Sequence, residues 1–423
     1  MLPGSIPLYF SKGHPLFFYF LASLWMKFIA GDSLIMMRLF PLMVSLIALV
    51  VFHHFAKRHT NLLLANIAVV LLSLQPLFLA QASLLLPEIL LFILFMMCFD
   101  SYLSRNYGYY AFFGSLMMLT KETGAVFIMV FGLAYLVENY PIWNTRVFWR
   151  DLLLLSVPGL VYLVFLLLHY LAFGVFFFAE HLDYITVDGT KMLYKFNSAT
   201  YMLFLAQGRN VIFFTAILVL TILLFRKQNI AYKRYLLISG SIIIPFLIFT
   251  ILNFFTYRYV LPVMGIVLLG SLAIIQQLQI KYQAVNIICI ACILSISAYY
   301  SATKRGNGDV DLGYTQFLVV HQQIVSYCEQ QGWYDKELGA GSNLVMVMNN
   351  PRAHYLSTGK IFHIHQLPGI DKRDLIIYDS TCYPSDMPKD EKNKLTLIKR
   401  FEYKEHWGEI YITPLKDNIQ SNQ

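Results

Sequence analysis

Three charged residues stand where a charge is costly. Glu88 follows Pro87 at the start of an apolar run, Lys121 lies inside another, and Arg258 sits between Tyr257 and Tyr259 at the head of a third. A carboxylate at a helix start is favoured by the helix dipole, and it can take up a proton, orient a nucleophile or bind a metal. The Lys121 ammonium needs a partner or water in such a run. It suits an anion; its structural alternatives are a pair with Glu122 or reach toward lipid headgroups. The planar guanidinium of Arg258 matches a phosphate and serves equally as an interfacial anchor. Arg38 is a weaker case of the same chemistry.

Other polar residues are candidates by type. His14 can line a polar cavity, although a lone histidine is more often structural. Glu180, His181, Asp183 and Asp188 fall in one aromatic stretch and could hold a sugar or a divalent cation, but their spacing fits no strict metal template. The same residues also read as ordinary loop solvation. His53, His54 and His59 cluster at the end of an apolar run and read as interfacial. His363 and His365 alternate on an expected strand and share a side. No Walker loop or Gly-x-Ser-x-Gly is present, which argues against an ATPase and an α/β-hydrolase.

The elements that must position these groups are set by composition. Of 423 residues 58% are hydrophobic and only 13% charged, and mean hydropathy is +0.59. Soluble domains carry about 25% charged residues, so lipid is the expected solvent. The net charge of +8 does not point to nucleic acid, because the basic residues gather at segment ends as topology signals. Cys98, Cys289 and Cys292 lie in apolar segments and behave as small hydrophobes. Cys328 and Cys382 lie in the polar tail and could pair in an oxidising compartment.

About ten spans are expected, over 33–53, 62–80, 86–103, 109–121, 124–139, 151–172, 210–226, 235–255, 259–278 and 283–300. The fourth and fifth are short and meet at the Lys121–Gly124 turn. Lys57, Arg58, Arg105, Arg146, Arg150, Arg226, Lys227, Lys233, Arg234 and Lys281 mark the cytoplasmic connections. The N-terminus and the tail then lie outside. Residues 1–301 form the membrane domain, with an interfacial lead-in over 1–32 and a long outer loop over 173–209. Residues 302–423 regain charge, Gly, Asn and Pro, and predict a small extracytoplasmic α/β domain. In it "YTQFLVVHQQIVSYCEQQ" reads as helix, and "NLVMVM", "DLIIYDS", "LTLIKRFEY" and "EIYIT" read as strands.

Four segments in order carry a family resemblance. They are "GHPLFFYFLASLWMKFIAGDSLIMMRLFPLMVSLIALVVFHHFAKR", "LSLQPLFLAQASLLLPEILL", "LMMLTKETG" and "TYRYVLPVMGIVLLG". Together they resemble the polyprenyl-phosphate-sugar-dependent glycosyltransferases of the GT-C fold, which include protein O-mannosyltransferases and aminoarabinose transferases. The matching positions are His14-Pro15, Arg38 to Pro41, Pro87-Glu88, Lys121 (with Glu122 in place of a glycine) and Arg258-Tyr259.

The resemblance implies an all-α polytopic membrane domain carrying the small α/β domain. It implies transfer of a sugar from a polyprenyl-phosphate donor to an extracytoplasmic lipid, glycan or protein. Glu88 and His14 would then be catalytic, and Lys121, Arg258 and Arg38 would bind the lipid phosphate. Glu180, His181, Asp183 and Asp188 would meet sugar or acceptor, with a divalent cation as an optional cofactor. The resemblance also implies a further span and an acidic outer loop ahead of residue 1, since no Asp or Glu precedes His14. Two other readings stand beside it: a transporter or flippase for a lipid-linked glycan, and an inactive relative acting as a partner subunit.

Overall fold

Apolar stretches in lipid leave backbone groups only their own helix to bond with, and the first part of the chain is accordingly helical. The computed structural model describes residues 15–176, 185, 187–277, 283–306, 308–367, 373–382 and 392–413. The chain divides into two compact units, Met1–Thr303 and Lys304–Gln423.

In the first unit α1 (Phe17–Trp25) runs into a π turn (Met26–Ala30) that ends at Gly31 with positive φ. Next comes α2 (Leu34–His59). Ser33 caps it by accepting from the Met36 amide, and Lys57, Arg58 and His59 complement its C-terminal dipole. The expected span over 62–80 is two helices, α3 (Leu62–Ser73) and α4 (Pro76–Gln81). The break falls at Gln75, because Pro76 has no amide to continue α3 and is suited to the first helical position. Then follow α5 (Glu88–Leu103), α6 (Tyr107–Thr120), α7 (Gly124–Glu138) and α8 (Arg146–Phe173).

The described end of the expected outer loop is helical. It contains α9 (Gly189–Thr200), a π turn (Tyr201–Leu205) and a 3-10 turn (Ala206–Gly208). Helices α10 (Arg209–Phe225), α11 (Lys233–Leu252), α12 (Leu261–Ile275) and α13 (Gln283–Thr303) complete the unit. Five described helical stretches are long and apolar enough to cross a membrane: Leu34–His59, Arg146–Phe173, Gly189–Phe225, Lys233–Leu252 and Tyr257–Ile275. The fold is an integral membrane helix bundle.

Helix α12 sits at the centre: every residue from Leu261 to Ala273 is buried. A helix apolar on all sides belongs in a core. It packs on α5, where a Cβ on Gly265 would come within 2.6 Å of the Phe92 ring. Aromatic pairs fill the space around it, with Phe95 and Phe127 centroids 4.3 Å apart and Phe99 and Phe131 5.3 Å apart. At the far end of α5, Asp100 takes Arg58 at 2.8 Å and His59 at 2.7 Å, which ties α2 to α5.

The second unit is a five-stranded sheet in the order β2-β1-β3-β5-β4. The strands are β1 (Leu338–Ala340), β2 (Ile364–Gln366), β3 (Leu375–Asp379), β4 (Thr396–Tyr403) and β5 (His406–Ile412). Strand β1 is parallel to β2 and β3, and β5 is antiparallel to β3 and β4. Helices α14 (Tyr314–Gln330) and α15 (Ser342–Met348) enclose a core with Val320, Ile324, Leu344 and Met348 against Leu338, Ala340, Ile377 and Ile410.

The segment "NLVMVM", expected as a strand, is α15. Its buried residues Leu344 and Met348 lie four apart, a helical spacing. No disulfide joins Cys328 and Cys382 among the described residues. His363 and His365 are both exposed, alternating with buried Phe362 and Ile364, and His365 pairs with Glu337 at 2.9 Å.

Candidate functional site

Glu88 opens α5 directly after Pro87, which serves as its N-cap. Its carboxylate is 1% exposed, so its charge must be met by protein. Two donors meet it on the same oxygen. Lys121 Nζ donates to Oε1 at 2.7 Å and Arg258 Nε donates to Oε1 at 3.0 Å. The second oxygen, Oε2, is buried and accepts no hydrogen bond among the described residues. An unmet buried acceptor costs about 1–3 kcal/mol, and such an atom in a folded protein requires an explanation.

Lys121 is placed by the turn between α6 and α7. It ends α6 in an extended conformation, and its carbonyl accepts from the Gly124 amide at 3.0 Å. Gly124 starts α7 close against Met117, where a Cβ would lie 3.1 Å from Met117 Cγ. The ammonium lies 3.5 Å from the centroid of the Tyr259 ring, a cation–π seat that strengthens when water is excluded. Arg258 and Tyr259 belong to the 3-10 turn (Tyr257–Val260) that leads into α12. The close packing of Gly265 on Phe92 therefore fixes the distance between this turn and the start of α5. Tyr19 on α1 lies within electrostatic range of Glu88, Lys121, Glu122 and Arg258.

The structure thus brings together Glu88, Lys121 and Arg258 from three separate elements. The ion-pair partner of Lys121 is Glu88, not the adjacent Glu122. Arg38 is exposed on α2 and makes no ion pair among the described residues. It lies three and seven residues before buried Pro41 and Ser45 on one stripe of α2, but it does not join the Glu88 cluster among the described residues. Asp188 is the N-cap of α9, accepting from the Thr190 amide at 2.8 Å and the Lys191 amide at 3.1 Å, so its carboxylate is engaged in ending a loop. His14, Glu180, His181 and Asp183 lie outside the described residues. Among the described residues no group of three or more His, Cys, Asp or Glu side chains is arranged to hold a metal ion.

Two features escaped the sequence reading. The Tyr259 ring under Lys121 is one; the aromatic next to Arg258 was its only signal. The other is Arg209, which opens α10 and is 1% exposed. Its guanidinium donates to Gln75 Oε1 at 2.6 Å, to Gln207 Oε1 at 3.1 Å and to the Met202 carbonyl. It closes a kink in which Gln207 (φ 57°) and Gly208 (φ 86°) both take left-handed conformations. A Cβ on Gly208 would meet Ile296 at 2.9 Å, so only glycine fits there.

The second unit holds a buried polar pair of its own. His321 Nε2 lies 3.2 Å from Asp379 Oδ2, and each side chain is 1% exposed. Burial works to raise the Asp379 carboxyl, but bonds from His321 and Thr381 outweigh it and hold the group below its ordinary value. Burial, opposed by a backbone hydrogen bond and helped by the neighbouring Glu329 charge, pushes the Cys328 thiol up to about 12.

No protein-family profile and no curated protein matches this chain by sequence. Solved structures do match by fold. The crystal structure of ArnT from Cupriavidus metallidurans in the apo state aligns with a TM-score of 0.50 and 12% identity, covering 94% of this chain and 88% of that one. The structure of the same protein bound to undecaprenyl phosphate aligns with a TM-score of 0.52 and 14% identity over the same shares. The chain therefore has the GT-C fold, a polytopic helical membrane unit followed by a small α/β unit.

Proposed function

We propose that this protein is a membrane glycosyltransferase that moves a sugar from a polyprenyl-phosphate donor to an extracytoplasmic acceptor. The observation that carries the reading is the pairing of a buried carboxylate with two cations at one point: Glu88 Oε1 between Lys121 and Arg258, with Oε2 unmet. Such a site holds both halves of the chemistry. The acceptor hydroxyl or amine attacks the anomeric carbon and a new bond to the sugar forms. The bond between that carbon and the phosphate oxygen breaks, and its electron pair leaves with the polyprenyl phosphate. The acceptor proton passes to Glu88 Oε2. Lys121 and Arg258 stabilise the phosphate charge as it develops. His14 is proposed as a second catalytic residue, and Glu180, His181, Asp183 and Asp188 as the residues that meet sugar or acceptor. In this reading the α/β unit is extracytoplasmic.

The likeness to a protein crystallised with undecaprenyl phosphate supports a lipid phosphate as ligand. The test is a transfer assay with the purified chain, a polyprenyl-phosphate sugar and membrane-extract acceptors, following release of free polyprenyl phosphate. Release by the wild type and its loss in Glu88→Gln support the reading. No release with any donor sugar overturns it.

A further inference from the structure

The arrangement around Glu88 poses a problem that the proposed reaction does not answer. A general base must meet the acceptor, and the two cations must meet the phosphate. In the structure both cations instead bond the base, and both do so on Oε1. A carboxylate and a phosphate oxygen offer the same thing to an ammonium and a guanidinium: an anionic acceptor at hydrogen-bond distance.

We propose that Glu88 is also an internal competitor for the donor phosphate, occupying the anion site of Lys121 and Arg258 until the donor displaces it. This rests on the reading of the site given above and adds an order to it. When the phosphate arrives, Lys121 and Arg258 transfer their bonds to it. Lys121 keeps its seat on the Tyr259 ring, 3.5 Å away, so the ammonium turns toward the new anion without leaving its place. Glu88 Oε1 loses both donors. The carboxylate, 1% exposed while both cations hold it, is released from them and can meet the acceptor. Donor binding therefore frees the base, and the donor precedes the acceptor.

The energetic consequence has a definite sign. Part of the donor's binding energy is spent breaking the two bonds to Glu88, so the apparent affinity is lower than that of an open site, by the fraction of time the site is open. Neutralising Glu88 leaves Lys121 and Arg258 without their carboxylate, and binding of the lipid phosphate tightens while transfer falls. A residue that merely held the fold together, or that bound the phosphate directly, gives the opposite sign.

The experiment measures binding of undecaprenyl phosphate to the purified full chain in lipid nanodiscs, for wild type and Glu88→Gln, with undecaprenol as the phosphate-free control. The expected result is about tenfold tighter binding of undecaprenyl phosphate in the variant and no change for undecaprenol. Unchanged or weaker binding in a folded variant, or equal tightening for both lipids, overturns the competition and leaves the functional reading in place. If neither protein binds undecaprenyl phosphate, the functional reading falls and the competition with it. Binding by the variant alone supports both. Glu88→Asp gives the same test in a milder form if the glutamine variant does not fold. Its shorter side chain keeps the charge but not the reach to both cations, so tightening of the same sign and smaller size is expected, and no tightening overturns the proposal.

Discussion

Gly265 of α12 lies against Phe92 of α5 so closely that a single added Cβ would stand 2.6 Å from the ring. These two helices carry the opposing halves of the candidate site, Arg258 and Tyr259 ahead of one and Glu88 at the head of the other. Gly265→Ala is expected to force the helices apart and to cost about 1–3 kcal/mol, the range for overpacking a filled core. Thermal unfolding in detergent measures the cost. Binding of undecaprenyl phosphate should weaken in parallel, and a variant as stable as wild type removes this contact from the account.

Lys121 is seated by an aromatic ring and paired with a carboxylate, so its removal touches both. Lys121→Ala leaves Glu88 with Arg258 alone. Breaking a buried pair costs about 3–5 kcal/mol when one charge is left without a partner, and the remaining bond from Arg258 places the expected loss at the lower end. Sugar transfer is expected to fall by at least about a hundredfold, the usual range for removing one charge-stabilising donor. Lys121→Arg, which keeps a cation over the Tyr259 ring, should recover part of it. Initial rates and melting curves on the same preparations separate the two effects.

Asp379 gives the second unit a pH dependence with a fixed sign. Its folded-state carboxyl is held below the ordinary value, so it stabilises the fold fully above the unfolded carboxylate range of about 3.9. That contribution is lost as pH falls through the lower folded value. Denaturation between about pH 5 and 2 should show wild type losing more stability than Asp379→Asn. Identical slopes for the two proteins would show that the His321 pair makes no such contribution.

The tail cysteines should differ in reactivity. Cys328 is fully buried and its thiol is pushed up to about 12, so almost no thiolate exists at neutral pH. A maleimide is expected to label the partly exposed Cys382 in the folded chain and to reach Cys328 only on unfolding. Peptide mass spectrometry after brief labelling reads both sites at once, and rapid labelling of Cys328 contradicts its placement in the α14 core.

The fold was largely legible because lipid imposes a coarse and strict code. Long apolar runs, a charge between them and a change of composition near residue 302 are enough for the architecture. What failed was local. Val and Met in "NLVMVM" alternate like a strand, yet Leu344 and Met348 face the same core only on a helix. The break at Pro76 was hidden inside a run of apolar residues that hydropathy treats as one piece. The site shows the same division. Residue type marked Glu88, Lys121 and Arg258 as expensive, but no spacing in the sequence states that they share one oxygen atom. Arg209 falls at the end of the expected outer loop over 173–209, and its neutral partners, Gln75 and Gln207, carry no electrostatic signature that a sequence can display.

The three charges of the cluster also differ in when they are made. Glu88 and Lys121 are separated by 33 residues, Glu88 and Arg258 by 170. As the chain leaves the ribosome, the carboxylate and the ammonium emerge within one helical hairpin and can enter lipid as a neutral pair. The guanidinium arrives after five further described α-helices, α7 to α11. A charge alone in hydrocarbon costs several kcal/mol, so the early pair gives the insertion machinery a tolerable intermediate. The late arginine completes the cluster only once α12 has found its place on α5, and a nascent chain with Lys121 replaced would expose a lone carboxylate at the stage when quality-control proteases inspect it.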